Sequence, residues 1–114
     1  MERAALNPAS LDALEKTMGP DAARIFARRL LGFLKERVGE IPAAFAGGDA
    51  EAVRSCVHKL ASNAAALGAL QLSALAREIE AQCHAGESAG ALARQDELAT
   101  AAAAAITALE ARLG

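Results

Sequence analysis

His58-Lys59-Leu60-Ala61-Ser62-Asn63-Ala64-Ala65-Ala66-Leu67-Gly68-Ala69 reads as a helix aiming one histidine at water, followed by a glycine stop. An α-helix turns about 100° per residue, so each position has a direction. Val53, Cys56, Val57, Leu60, Ala64 and Leu67 fall on one apolar stripe. His58 points roughly 150° away from the centre of that stripe, which is not the placement of a core histidine. Its neighbours on the outer face, Ala61, Ser62 and Ala65, are too short to wall it off. A titratable ring on such a platform is open to the active site of another protein.

The helices on either side follow from caps and spacing. Asn7-Pro8 opens a first helix that carries Leu11, Leu14 and Met18 inward and stops at Gly19. A second starts near Asp21, with Phe26, Leu30, Phe33, Leu34, Val38, Ile41 and Phe45 at helical spacing. Gly39 and Pro42 predict a bend or break inside it, and Gly47-Gly48 ends it. Asp49 caps the third, which bears His58 and ends at Gly68 in a left-handed conformation. Leu72, Leu75, Ala76, Ile79 and Cys83 form the stripe of the fourth, closed by Gly86, and Gly86-Glu87-Ser88-Ala89-Gly90 reads as a loop. The fifth carries two seven-residue series, Leu92, Ala99, Ile106, Leu113 and Gln95, Ala102, Leu109, suited to packing at a shallow angle. Short connections favour antiparallel neighbours. The expectation is therefore an all-α fold: an antiparallel up-down four-helix bundle with an additional short N-terminal helix as a lid. It forms a single domain over residues 1–114, with no internal repeat.

Composition agrees and excludes several functions. Hydrophobic residues are 54% of the 114, aromatic residues only 3%, and alanine dominates the rest, including the run Ala101 to Ala105. Alanine favours helices that approach closely, and the scarcity of β-branched residues weakens any sheet. A formal charge of −2, with no Trp or Tyr to stack bases, argues against nucleic acid as a partner. No apolar run reaches the ~18 residues that span a bilayer, and the N-terminus lacks a signal-peptide pattern, so a cytoplasmic protein is expected. Cys56 and Cys83 read as reduced packing thiols. With His84 they could be drawn as a metal site, but no paired ligand spacing supports one. His84 fits the last turn of its helix, where a histidine meets the helix dipole favourably.

The chain resembles the histidine-containing phosphotransfer (HPt) domains of bacterial two-component phosphorelays. Those domains carry a motif close to His-x-Leu-Lys-Gly, several small residues, then Leu-Gly-Ala. His58, Leu60, Leu67, Gly68 and Ala69 match it, as does the order of helices across essentially the whole chain. Two positions depart: Ala61 stands at the usual lysine and Ser62 at the usual glycine. The resemblance implies a phosphocarrier rather than an autonomous kinase, with His58 exchanging a phosphoryl group with aspartates of response-regulator receiver domains. A sensor or hybrid histidine kinase would stand upstream. It implies no cofactor of its own, the magnesium ion belonging to the receiver, and a monomer is expected. Glu80 takes the position from which the family orients the histidine ring. Arg54 and Lys59 are candidates for the positive charge missing at Ala61, and Ala61, Ala65 and Ser62 would lie beneath the docked partner.

Plainer readings stand beside these. Glu80 also fits a surface carboxylate paired with Arg77 or His84, and Arg54 and Lys59 fit ordinary solvated helix charges. The two departures leave room for an alternative: a phosphotransfer-incompetent module that binds a receiver or kinase as inhibitor or scaffold. No carboxylate pair, catalytic triad or nucleotide-binding glycine loop points to an enzyme with its own pocket.

Overall fold

The computed structural model describes residues 6–114; residues 1–5, part of the expected domain and of the stretch read for a signal peptide, lie outside the described residues. Caps set the first boundaries. The Asn7 side chain accepts from the Ala9 N–H at 3.1 Å and opens α1 (Pro8–Met18), and α2 (Pro20–Gly39) begins directly after Gly19. Proline at position 42 cannot donate to the ladder, so the second predicted helix divides and α3 (Ile41–Ala46) follows as a separate short helix. Asp49 accepts from the Glu51 N–H at 3.0 Å and opens α4 (Ala50–Ala66). Then come α5 (Leu70–His84), α6 (Ser88–Leu92) and α7 (Gln95–Leu113). With no strand among the described residues, the molecule is an all-α helical bundle.

The tightest seam joins α4 to α5. Gly68 turns the chain with φ +80°, while the Ala69 and Gly68 N–H groups donate back to Ala64 and Ala65 at 2.8 and 3.0 Å. Those two bonds satisfy carbonyls the helix end would otherwise leave open. Farther along, the buried Ser73 hydroxyl donates to the Ala61 carbonyl at 3.0 Å, and His58 lies beside Glu80. Residue numbers rise on one helix as they fall on the other, so α4 and α5 form an antiparallel hairpin. Val53, Val57 and Leu60 of α4 and Leu72 and Ile79 of α5 are fully buried between them and the remaining helices. Burying each such side chain contributes about 1.5–3 kcal/mol before entropic costs.

Two other contacts fix the outer helices. Arg24 and Arg28 of α2 both donate to the Leu113 carbonyl, at 2.6 and 2.8 Å, placing cations at the negative end of the α7 dipole. The Asn7 N–H donates to the Gly68 carbonyl at 2.7 Å and holds the start of α1 against the α4–α5 turn. From there α1 packs on α2, and the His58 ring stays uncovered.

Several expectations from spacing are corrected. Phe26 and Phe33 are 39% and 42% exposed; the buried row of α2 is Ala23, Ala27, Leu31 and Leu34. Two alanines one turn apart let α2 approach its neighbours closely, and that gap admits methyl groups rather than rings. Met18 is likewise exposed, whereas Leu11 is buried and Leu14 packs half-buried against the core as their inward placement predicts. The Gly86–Gly90 loop contains the start of α6, where Ala91 is buried and its N–H bonds to Glu87. Leu92 therefore belongs to α6 and not to the last helix. In α7 the buried row is Leu98, Ala102, Ala105, Leu109 and Leu113; Ile106 packs half-buried against its edge, and of the predicted positions on this helix only Ala99 is exposed.

Candidate functional site

Two rows of side chains face each other across the α4–α5 seam. Positions three or four apart on a helix share a face. On α4 that row is Arg54, His58 and Ala61; on α5 it is Ser73, Arg77 and Glu80. His58 Nδ1 lies 2.8 Å from Glu80 Oε2. The imidazole side chain is 56% exposed, whereas the Glu80 side chain is only 15% exposed. A mostly buried carboxylate thus lies against one nitrogen of a ring that is more than half exposed.

An ionised carboxylate only accepts hydrogen bonds, so in the neutral ring the proton sits on Nδ1 and Nε2 carries the lone pair. The second carboxylate oxygen of Glu80 lies 3.9 Å from Arg77 Nη1. Ser62, one turn beyond His58, is exposed and its hydroxyl donates to the His58 carbonyl at 3.3 Å. It leaves the ring uncovered.

The remaining predicted residues divide. Arg54 lies on the row of His58, but its guanidinium is clamped by Glu51: Nε is 3.1 Å from each carboxylate oxygen, and Nη2 also contacts Oε2. That hydrogen-bonded pairing raises the Arg54 pKa and lowers that of Glu51, with mutual charge attraction adding to both. Lys59 is exposed, and its charge acts on Cys56, as do those of Glu40 and Arg37 from the α2–α3 junction; the helix turns it about 100° from His58. Ala65 is half-buried.

Ala61 is a correction: it is fully buried rather than on the outer platform, because α5 lies over it and Ser73 bonds its carbonyl. It cannot touch a docked partner. Two residues of the seam were passed over in the sequence, Ser73 as a site feature and Arg77 as more than a surface ion-pair partner. A serine within the apolar stripe of Leu72, Leu75 and Ala76 was the available signal for the first.

Burial raises the pKa of both Cys56 and Cys83 thiols. Among the described residues, no group of three or more His, Cys, Asp or Glu is assembled to hold a metal ion. Among them also, no helix is long and apolar enough to cross a membrane.

A protein-family model, the Hpt domain, matches residues 26–112, a span that includes His58, Arg77 and Glu80. The chain belongs to the Hpt domain family. Hpt domain proteins are phosphocarriers of two-component phosphorelays rather than kinases, and as a family they work with two-component kinases and response regulators. The fold is similar to the crystal structure of histidine-containing phosphotransfer protein B (HptB) from Pseudomonas aeruginosa PAO1. The TM-score is 0.85 with 98% of this chain and 96% of that chain covered, at 22% identity. No curated protein matches the sequence.

Proposed function

We propose that this Hpt domain is a phosphorelay intermediate that accepts and donates a phosphoryl group at His58 Nε2, exchanging it with an aspartate of a receiver domain. The observation that carries this is the pairing of an exposed ring with the sheltered carboxylate of Glu80 at Nδ1. In the transfer, a bond forms between phosphorus and Nε2 as the bond from phosphorus to the receiver's aspartyl oxygen breaks. The carboxylate leaves with that electron pair. The proton on Nδ1 stays hydrogen-bonded to Glu80, which offsets the positive charge the ring acquires. The divalent cation and the aspartate belong to the receiver, and the domain takes no nucleotide itself. A cytoplasmic monomer is the form in which we expect it to work.

The test is labelling by a receiver carrying a radioactive acyl phosphate. The wild type takes the label and His58→Gln does not; equal labelling of both removes the proposal. Glu80→Ala slows transfer by about tenfold or more, while Glu80→Gln, whose amide oxygen still accepts from Nδ1–H, keeps most of the rate. Receiver binding without any label, indifferent to His58→Gln, identifies instead the incompetent inhibitor or scaffold.

A further inference from the structure

A phosphoryl group on Nε2 brings roughly −1.5 to −2 units of charge to a ring whose other nitrogen already rests on a carboxylate. Glu80 already balances the charge on the protonated ring, so the phosphoryl charge is left without a partner and a cation at the seam would stabilise the phosphorylated state. Three arginine or lysine side chains within about one turn of His58 or Glu80 could supply it, and their surroundings separate them.

Arg54 is held by Glu51 through Nε and Nη2, the two groups a guanidinium uses to grip a carboxylate. Lys59 follows His58 directly, so the helix turns it about 100° away from the histidine, towards the side of Cys56. Arg77 differs from both. It lies in the same row of α5 as Glu80, one turn nearer the Ala61–Ser73 contact, so it borders the ring on the side away from Arg54. Its side chain is 53% exposed, and its nearest carboxylate oxygen, Glu80 Oε1, is 3.9 Å away, an ion pair without a close hydrogen bond.

Resting on the reading of His58 as the acceptor, we propose that Arg77 is the cation that binds the phosphoryl oxygens of phosphorylated His58, swinging from its loose contact with Glu80. Its fork of N–H donors suits a tetrahedral oxyanion. By neutralising those oxygens it withdraws the electron density that would otherwise expel the ring and break the phosphorus–nitrogen bond. Arg77 therefore lengthens the life of the phosphorylated protein, whichever receiver is present.

The experiment uses phosphoramidate as donor, with no receiver, so that docking plays no part. Wild type, His58→Gln, Arg77→Met, Arg77→Lys and Arg54→Met are labelled, freed of donor, and followed by phosphorus NMR as the phosphohistidine decays. Arg77→Met, which keeps the stem and loses the charge, shortens the lifetime roughly fivefold, the scale of one exposed charge-assisted contact. Arg77→Lys restores most of it. The gap between wild type and Arg77→Met narrows in about 1 M salt, where the screening length falls to about 3 Å; a purely structural effect would not narrow. Equal lifetimes in wild type and Arg77→Met, or a greater loss in Arg54→Met than in Arg77→Met, overturn the assignment of Arg77 while leaving His58 as acceptor. No label on wild type, or the same label on His58→Gln, removes both together.

Discussion

The two seams of α5 are built differently. Against α4, α5 is knit by side-chain bonds that cross the interface, His58 to Glu80 and Ser73 to the Ala61 carbonyl, over fully buried Leu60, Leu72 and Ile79. Against α7 an open groove of about 660 Å³ runs between the two helices, bordered by Gln71, Ala74, Leu75, Ala101 and Ala104. Polar atoms at that groove, Arg94 with Glu78 and Glu97, pair with one another near the rim at 3.1 and 3.0 Å. Order is concentrated on the seam that carries the histidine. A ring that must meet a reacting phosphorus in line needs its orienting carboxylate on a backbone that does not shift, and the α4–α5 hairpin supplies that.

Equal truncations on the two sides test this difference most strongly. Leu60 of α4 and Leu98 of α7 are both fully buried. The cost of a Leu→Ala change depends on how far the surroundings collapse into the space left behind. Leu60→Ala is expected to cost about 3–5 kcal/mol in urea unfolding, and Leu98→Ala, on the helix whose outer face borders the open groove, about 2–3 kcal/mol. Equal losses would mean that the α7 side is as rigid as the hairpin. Gly68→Ala comes next. A Cβ there would lie 2.6 Å from the Asn7 carbonyl oxygen and 2.9 Å from the Ser10 Cβ, on a backbone already at φ +80°. The left-handed conformation alone costs a side chain about 1–3 kcal/mol, and the contact with backbone cannot be relieved by a rotamer change. A thermal midpoint unchanged in Gly68→Ala would show that α1 is not fastened to the hairpin turn.

The same contrast explains which parts of the molecule could be read from the sequence. The α4–α5 hairpin was legible because large and small residues alternate there with an unambiguous period. Val53, Val57, Leu60 and Leu67 define a stripe, Asp49 and Gly68 mark the ends, and the position of His58 follows by rotation. The location of Glu80 came from resemblance to the family, and the 2.8 Å contact is what the fold adds. In α2, Leu34 lies on the buried face with Leu30 and Val38 at its edge, but Phe26 and Phe33 fall outside it, because side-chain size says little when two alanines set the distance of approach. In α7 the run Ala101 to Ala105 is apolar in every direction; only Leu98, Leu109 and Leu113 fix its register. Arg77 escaped notice because an i, i+3 ion pair is the ordinary fate of such a residue, and its place beside the ring depends on the register of two helices.

The smallest expected effect is the most specific to the groove. Ala104 is exposed on its wall, and leucine there adds apolar surface to open space, so Ala104→Leu should change unfolding free energy by no more than about 0.5 kcal/mol. The matching change on the other seam is Ala64→Leu. Ala64 is fully buried where the hairpin closes, and its carbonyl already accepts from Ala69. Extra methylenes in a filled core force side chains or backbone aside at about 1–3 kcal/mol. Paired urea titrations of the two variants would settle the contrast. A cost at Ala104 as large as that at Ala64 would mean that the groove closes in solution, and that α7 packs on α5 as tightly as α4 does.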